Sequence, residues 1–187
     1  MATRLTLLCH APTRSMREGG FACPDEPIDT GGLEKAARIN MPGSRQDRML
    51  TSPALAARQT AEAILPGAEV ECALRDMDPG AWRGRSLGEL FETDAEALSQ
   101  WISHPARGAP GGETMDEVVT RVGGWLDEQS RSDARVVAVT HPSVIRAVIA
   151  LVLDVSVSAT FNIDIAPLSS TRLSFNRRWR LQELRLP

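Results

Sequence analysis

No apolar run in this chain approaches the length of a membrane span: the longest, Val144 to Val155, is interrupted by Arg146 and Asp154. The N-terminal run Leu5 to Cys9 is too short for the apolar region of a signal peptide, and no cleavage-type segment follows it. Basic charge is not in excess either. A net charge of −3 excludes the basic surface that non-specific nucleic-acid or anionic-membrane binding requires. Cysteine is scarce: Cys9, Cys23 and Cys72 are odd in number and lack the close pairing of a zinc site. No metal or other cofactor is therefore expected, and a reducing cytoplasm is the expected compartment. Repeats, low-complexity tracts and linkers are also lacking, so residues 1–187 are read as one domain, large enough to bury a core without disulfides.

What the chain does have is alternation. Apolar runs of strand length alternate with stretches of helical period, the pattern of an α/β fold with a mostly parallel sheet flanked by helices. Strands are predicted at Arg4 to Cys9, Arg48 to Thr51, near Val70 and at Arg135 to Thr140. An edge hairpin pairs Ser170 to Phe175 with Trp179 to Glu183. Helices are predicted at Gly32 to Ile39, Pro53 to Ile64, Leu87 to Phe91, Ala95 to Ser103, Met115 to Gln129 and Ser143 to Leu153. Pro53 suits a first helical position, and Thr114 before Met115-Asp116-Glu117 gives an N-cap with an acidic first turn. Gly80 to Gly84 and His104 to Gly112 read as surface loops.

The chain has only three histidines, and two of them close strands. His10 follows Leu5-Thr6-Leu7-Leu8-Cys9, and His141 follows Val136-Val137-Ala138-Val139-Thr140. Ligands of open α/β sheets bind beyond the carboxyl ends of the strands, so two imidazoles delivered there can act on one substrate. Nucleophilic chemistry at histidine, with phosphate as the electrophile, fits that arrangement. His104, before Pro105 in a polar loop, reads as a surface residue.

Around these residues the chain resembles the histidine phosphatase (phosphoglycerate mutase-like) superfamily. Leu8-Cys9-His10-Ala11-Pro12-Thr13 is similar to its Arg-His-Gly signature, and Thr51-Ser52-Pro53 through Gln59-Thr60-Ala61 to its second-strand and helix motif. Leu74-Arg75-Asp76 through Gly84 is similar to its acid loop, Gly111-Gly112-Glu113-Thr114 to its helix-start motif, and Thr140-His141-Pro142-Ser143 through Ala147 to its second-histidine segment. The resemblance implies that fold with a small cap between Ala73 and Gly112, and hydrolysis of a small phosphorylated substrate through a phosphohistidine at His10. It also implies that His141 stabilises charge on the phosphoryl oxygens and that Asp76 is the acid and base. A backbone carbonyl bonded to the other ring N–H of His10 would fix the reactive tautomer.

The chain also departs from the family. Cys9 stands where an arginine normally precedes the nucleophile, and Ala56 aligns with a second arginine of the phosphate pocket. Losing one such stabiliser costs on the order of 10²–10³ in rate. Arg14 and Arg17 are the candidate replacements for that charge. Arg58, two positions past Ala56, is turned away by roughly 200° on a helix. Pro142 removes a backbone donor, for which the Ser143 hydroxyl is the substitute. These departures leave open a relative that binds a phosphorylated ligand or protein partner without turnover. A mutase-type phosphotransferase and a cysteine-dependent phosphatase built on Cys9 and Arg14-Ser15 also remain as alternatives. The sequence assigns no oligomeric state.

Overall fold

A computed structural model of the protein describes residues 3–39 and 47–187. In chain order its first half holds β1 (Thr3–Cys9), α1 (Arg14–Glu18), α2 (Thr30–Ala36), β2 (Arg48–Thr51), α3 (Leu55–Ile64) and β3 (Glu69–Val70). Then follow α4 (Leu87–Thr93), α5 (Ala95–Ser103), α6 (Met115–Ser130), β4 (Arg135–Thr140), α7 (Pro142–Leu153), β5 (Ser170–Asn176) and β6 (Arg178–Arg185). The strands form one six-stranded sheet in the order β3-β2-β4-β1-β5-β6. β1 to β4 run parallel, and the hairpin β5-β6 adds antiparallel to β1.

Both faces of the sheet are covered, which is why its central strands read as near-continuous apolar runs. Leu5, Leu7 and Cys9 share a core with Val118 and Val122 of α6 and Val144 and Val148 of α7. On the other face Leu8, Val137 and Val139 pack against Ala57 and Ala61 of α3. The neighbouring strands β1 and β4 are in register up to the pair Cys9–Thr140. His10 and His141 therefore leave the sheet side by side, and the His10 N–H donates to the Thr140 carbonyl at 2.9 Å. Above this end of the sheet α4 and α5 form a small cap around buried Trp82, Leu90, Leu98 and Ala109.

Several elements differ from the sequence reading, three of them for a clear local reason. α1 is an additional helix, capped by Thr13, whose side chain accepts from the Met16 N–H. α2 begins at Thr30 rather than Gly32 because the Asp29 carboxylate accepts the Gly32 N–H. α3 begins at Leu55, with Ala54 as its cap, so Pro53 lies before the helix and not in its first turn. The Leu55 N–H instead donates to the Pro24 carbonyl at 2.8 Å, which ties the start of α3 to another loop. Thr114 caps α6 as expected and forms a full capping box with Glu117. Among the described residues no helix is long and apolar enough to cross a membrane.

Candidate active site

Beyond Cys9 the backbone is held by the Ala11 N–H, which donates to Thr60 Oγ1 of α3 at 2.9 Å. His10 Nδ1 lies 2.8 Å from the Ala11 carbonyl. A carbonyl only accepts, so Nδ1 carries the proton and Nε2 keeps its lone pair. Burial, reinforced by the neighbouring His141, lowers the His10 pKa to about 4. The ring is thus neutral at physiological pH, as a nucleophilic imidazole must be.

His141 occupies the N-cap position of α7, with Pro142 at the first helical position. Its ring centroid lies 4.8 Å from that of His10, at 61° between planes. Ser52, the first residue after β2, places Oγ 2.7 Å from His141 Nε2 and also accepts the Ala54 N–H. Its hydroxyl proton is then free to donate to Nε2, and the other ring nitrogen, Nδ1, faces Asp76. That atom is 3.3 Å from Asp76 Oδ2, within ion-pair range but without hydrogen-bond alignment.

Asp76 keeps 43 % of its side-chain surface open to the cleft. Its Oδ1 accepts from the Ser143 hydroxyl at 2.6 Å and from the Met77 N–H at 2.8 Å. Burial works to raise its pKa, but His141, the Ser143 hydroxyl and His10 outweigh it and hold the carboxyl well below the usual range. The loop that carries Asp76 is anchored from behind. Arg121 of α6 donates to the carbonyls of Ala73 (2.6 Å) and Asp76 (3.2 Å) and is ion-paired with Glu113 at 2.8 Å. The two stretches read as surface loops clasp each other: Ala81 N–H donates to Pro110 O, and just beside them Glu113 N–H donates to Asp78 O. Gly80, at φ +53°, sits so close to the facing loop that a Cβ there would lie 2.4 Å from the Gly112 nitrogen.

These groups line an open cleft with two adjoining lobes of about 290 Å³ and 420 Å³, both bordered by His10 and Asp76. Ala56 faces the first lobe, so the position aligned with a family arginine does reach the cleft, without a charge. Cys9 is fully buried on the core side, and burial, with Asp76 nearby, pushes its thiol pKa far up. A thiol so protonated and inaccessible is no nucleophile.

The structure brings His10, Asp76, His141 and Ser143 together, but not the two expected arginines. Arg14 and Arg17 lie on α1, where Arg14 pairs with Glu18 (2.8 Å) and Arg17 with Asp29, outside the residues lining either lobe. The Ser143 hydroxyl is engaged by Asp76, so it does not stand in for the donor lost at Pro142. Arg58 is exposed, as its helical position implied.

Arg75 and Arg83 border the first lobe but are held by Glu113 and Asp78. Arg146 lines the second lobe with Ser143, one helical turn earlier on α7. Its guanidinium lies over the Phe161 ring (5.2 Å) and donates to the Ile163 carbonyl, while Nε is buried with no hydrogen-bond partner among the described residues. Burial lowers its pKa from the ordinary value, yet an arginine stays charged. Ser52, Arg121 and Arg146 were missed in the sequence. Ser52 carries the same signal as the two histidines, a polar residue at the mouth of a strand. Arg146 is three residues past Ser143, on the same helical face.

The chain is also similar to known proteins. The chain is 27% identical over 186 residues to phosphoserine phosphatase 1 of Hydrogenobacter thermophilus, covering 93% of this chain and 88% of that one. It is 28% identical over 179 residues to a bifunctional protein of Mycobacterium tuberculosis, covering 89% of this chain. The chain spans about half the length of that relative (49%). Among solved structures, the α-ribazole phosphatase of Shigella flexneri superposes with a TM-score of 0.86 at 21% identity, over 98% of this chain and 96% of that one. A mycobacterial glucosyl-3-phosphoglycerate phosphatase gives 0.80 at 24% identity, over 97% of each chain. Residues 5–186 match the sequence profile of branch 1 of the histidine phosphatase superfamily, and the chain belongs to that family.

Proposed function

We propose that the chain hydrolyses a small phosphomonoester through a phosphohistidine at His10. One observation carries this: a neutral imidazole with its Nε2 lone pair free stands beside a second imidazole and a carboxylate in one cleft. The relatives named for phosphoserine, α-ribazole and glucosyl-3-phosphoglycerate phosphatase support a small phosphorylated substrate.

In the first step the Nε2 lone pair forms a bond to phosphorus as the bond to the leaving oxygen breaks. Asp76 gives that oxygen a proton. The carboxyl is ionised in the empty site, but a phosphoryl dianion beside it opposes that charge and raises its pKa, so it takes up a proton from solvent as substrate seats. In the second step Asp76 takes a proton from water, the water oxygen attacks phosphorus, and the N–P bond breaks to release inorganic phosphate. Arg146 supplies positive charge beside the phosphoryl oxygens, and His141 hydrogen-bonds them.

The test is hydrolysis of 4-nitrophenyl phosphate by three proteins. His10→Ala is expected to lose at least about 10³-fold in kcat, whereas Cys9→Ser retains the chemistry. The opposite pattern would move the nucleophile to Cys9. The uncharged Ala56 in the first lobe favours a second reading, a phosphoryl-ligand binder without turnover. That reading predicts phosphate binding with no hydrolysis by the wild type.

A further inference from the structure

Resting on the phosphatase reading, we propose that the second lobe receives the alcohol half of the ester, and that this alcohol carries a flat apolar ring. The lobe opens from the reacting groups themselves, since His10, Asp76 and Met77 border both lobes. A leaving oxygen protonated by Asp76 directs its substituent into one lobe or the other. The first is the smaller, and Glu26, Arg75, Asp78 and Arg83 crowd its border with charge. The second, about 420 Å³, is walled by Phe21, Leu87, Trp101, Met115 and Phe161.

The chain has only eight aromatic residues, four Phe and four Trp, and three of them line this one lobe. The wall is also fixed in place. Phe21 and Trp101 meet edge to face at 5.1 Å, and both rest on the buried Trp82 ring, at 5.1 and 6.2 Å. Rigid aromatic walls favour a flat ring in offset or edge contact. The charged side chains on the lobe's border are Asp76, beside the catalytic histidine, and Arg146, whose guanidinium lies over the Phe161 ring. Asp76 is the only carboxylate among the described residues that line the lobe, and acid-base work occupies it. An ammonium-bearing alcohol such as serine finds no second carboxylate there, while an apolar ring finds a surface to cover.

The experiment compares (2-naphthyl)methyl phosphate with glycerol 2-phosphate and phosphoserine, all alkyl esters, so that an activated aryl leaving group does not decide the result. In parallel, binding of (2-naphthyl)methylphosphonate and methylphosphonate is measured by calorimetry. The naphthyl ester is expected to exceed both others at least about tenfold in kcat/KM, and the naphthyl phosphonate to bind at least about tenfold tighter than its methyl counterpart. Leu87→Glu, at an exposed first position of α4 that tolerates an acid, and Trp101→Leu should both erase these preferences. In each variant the readout is the ratio of kcat/KM for the naphthyl ester to that for glycerol 2-phosphate, which is expected to fall to about one. Turnover of all three esters without preference would overturn the lobe and keep the phosphatase. Ring-selective phosphonate binding without any turnover would keep the lobe and overturn the phosphatase. Neither turnover nor ring-selective binding would overturn both.

Discussion

A dianion in this cleft meets few guanidinium groups that are not already committed to carboxylates. Arg75 and Arg83 are paired, Arg14 and Arg17 lie elsewhere, and Arg146 makes no ion pair among the described residues. Arg146→Met is expected to cut kcat/KM by about 10–100-fold and to weaken competitive inhibition by inorganic phosphate in parallel, with Arg146→Lys intermediate. Unchanged phosphate inhibition in Arg146→Met would remove this residue from the site. The juxtaposition of His10, His141 and Asp76 was legible because they sit at strand ends or inside a motif frame, and the three are brought together. Arg14 and Arg17, the arginines expected to supply charge, do not line the cleft, because they are close to His10 in sequence only. The intervening α1 hands them to Glu18 and Asp29.

At the scale of elements, the position of Asp76 depends on a clasp between two loops and on one residue of α6. Arg121 joins Glu113 to the backbone at Ala73 and Asp76, with both side chains of the pair largely buried. Arg121→Met leaves the Glu113 carboxylate with its nearest cation removed, and is expected to destabilise the fold by about 3 kcal/mol. The loosened loop should lower kcat more than it raises KM, because the acid and base is displaced while the histidines stay in place. A kcat equal to wild type would show that the clasp is structural only. Strands at Arg48–Thr51 and Arg135–Thr140 and the helix Ala95–Ser103 were readable to the residue, since apolar period and capping are local signals. The clasp was not. Its bonds join residues about thirty positions apart, such as Glu113 to Asp78, and nothing local in a Gly/Pro-rich stretch names its partner.

For the whole molecule, the neutral buried His10 couples the site to stability. Its folded pKa, about 4, lies below the ordinary 6.5, so the unfolded chain binds the proton more readily. Stability is therefore complete above pH 6.5 and falls as pH drops from 6.5 towards 4, by about 3 kcal/mol from this group. Urea unfolding of wild type and His10→Asn at pH 7 and pH 4.5 checks this: the wild type should lose more stability than the variant. Parallel losses would place the acid sensitivity elsewhere. The fold around the site was legible as a mostly parallel sheet because apolar runs of strand length alternate with helical stretches, and β1 and β4 are covered on both faces. Their adjacency and register, which set the two imidazoles side by side, are tertiary facts.

The central claim is a covalent bond between His10 Nε2 and phosphorus, and intact-protein mass spectrometry tests it most directly. Wild type and His10→Ala are mixed with excess 4-nitrophenyl phosphate and quenched without acid. A mass increase of one phosphoryl group on the wild type alone, stable in base and lost in acid, is the predicted result. A wild type that releases phosphate with no such adduct, or an adduct that survives in His10→Ala, would contradict it.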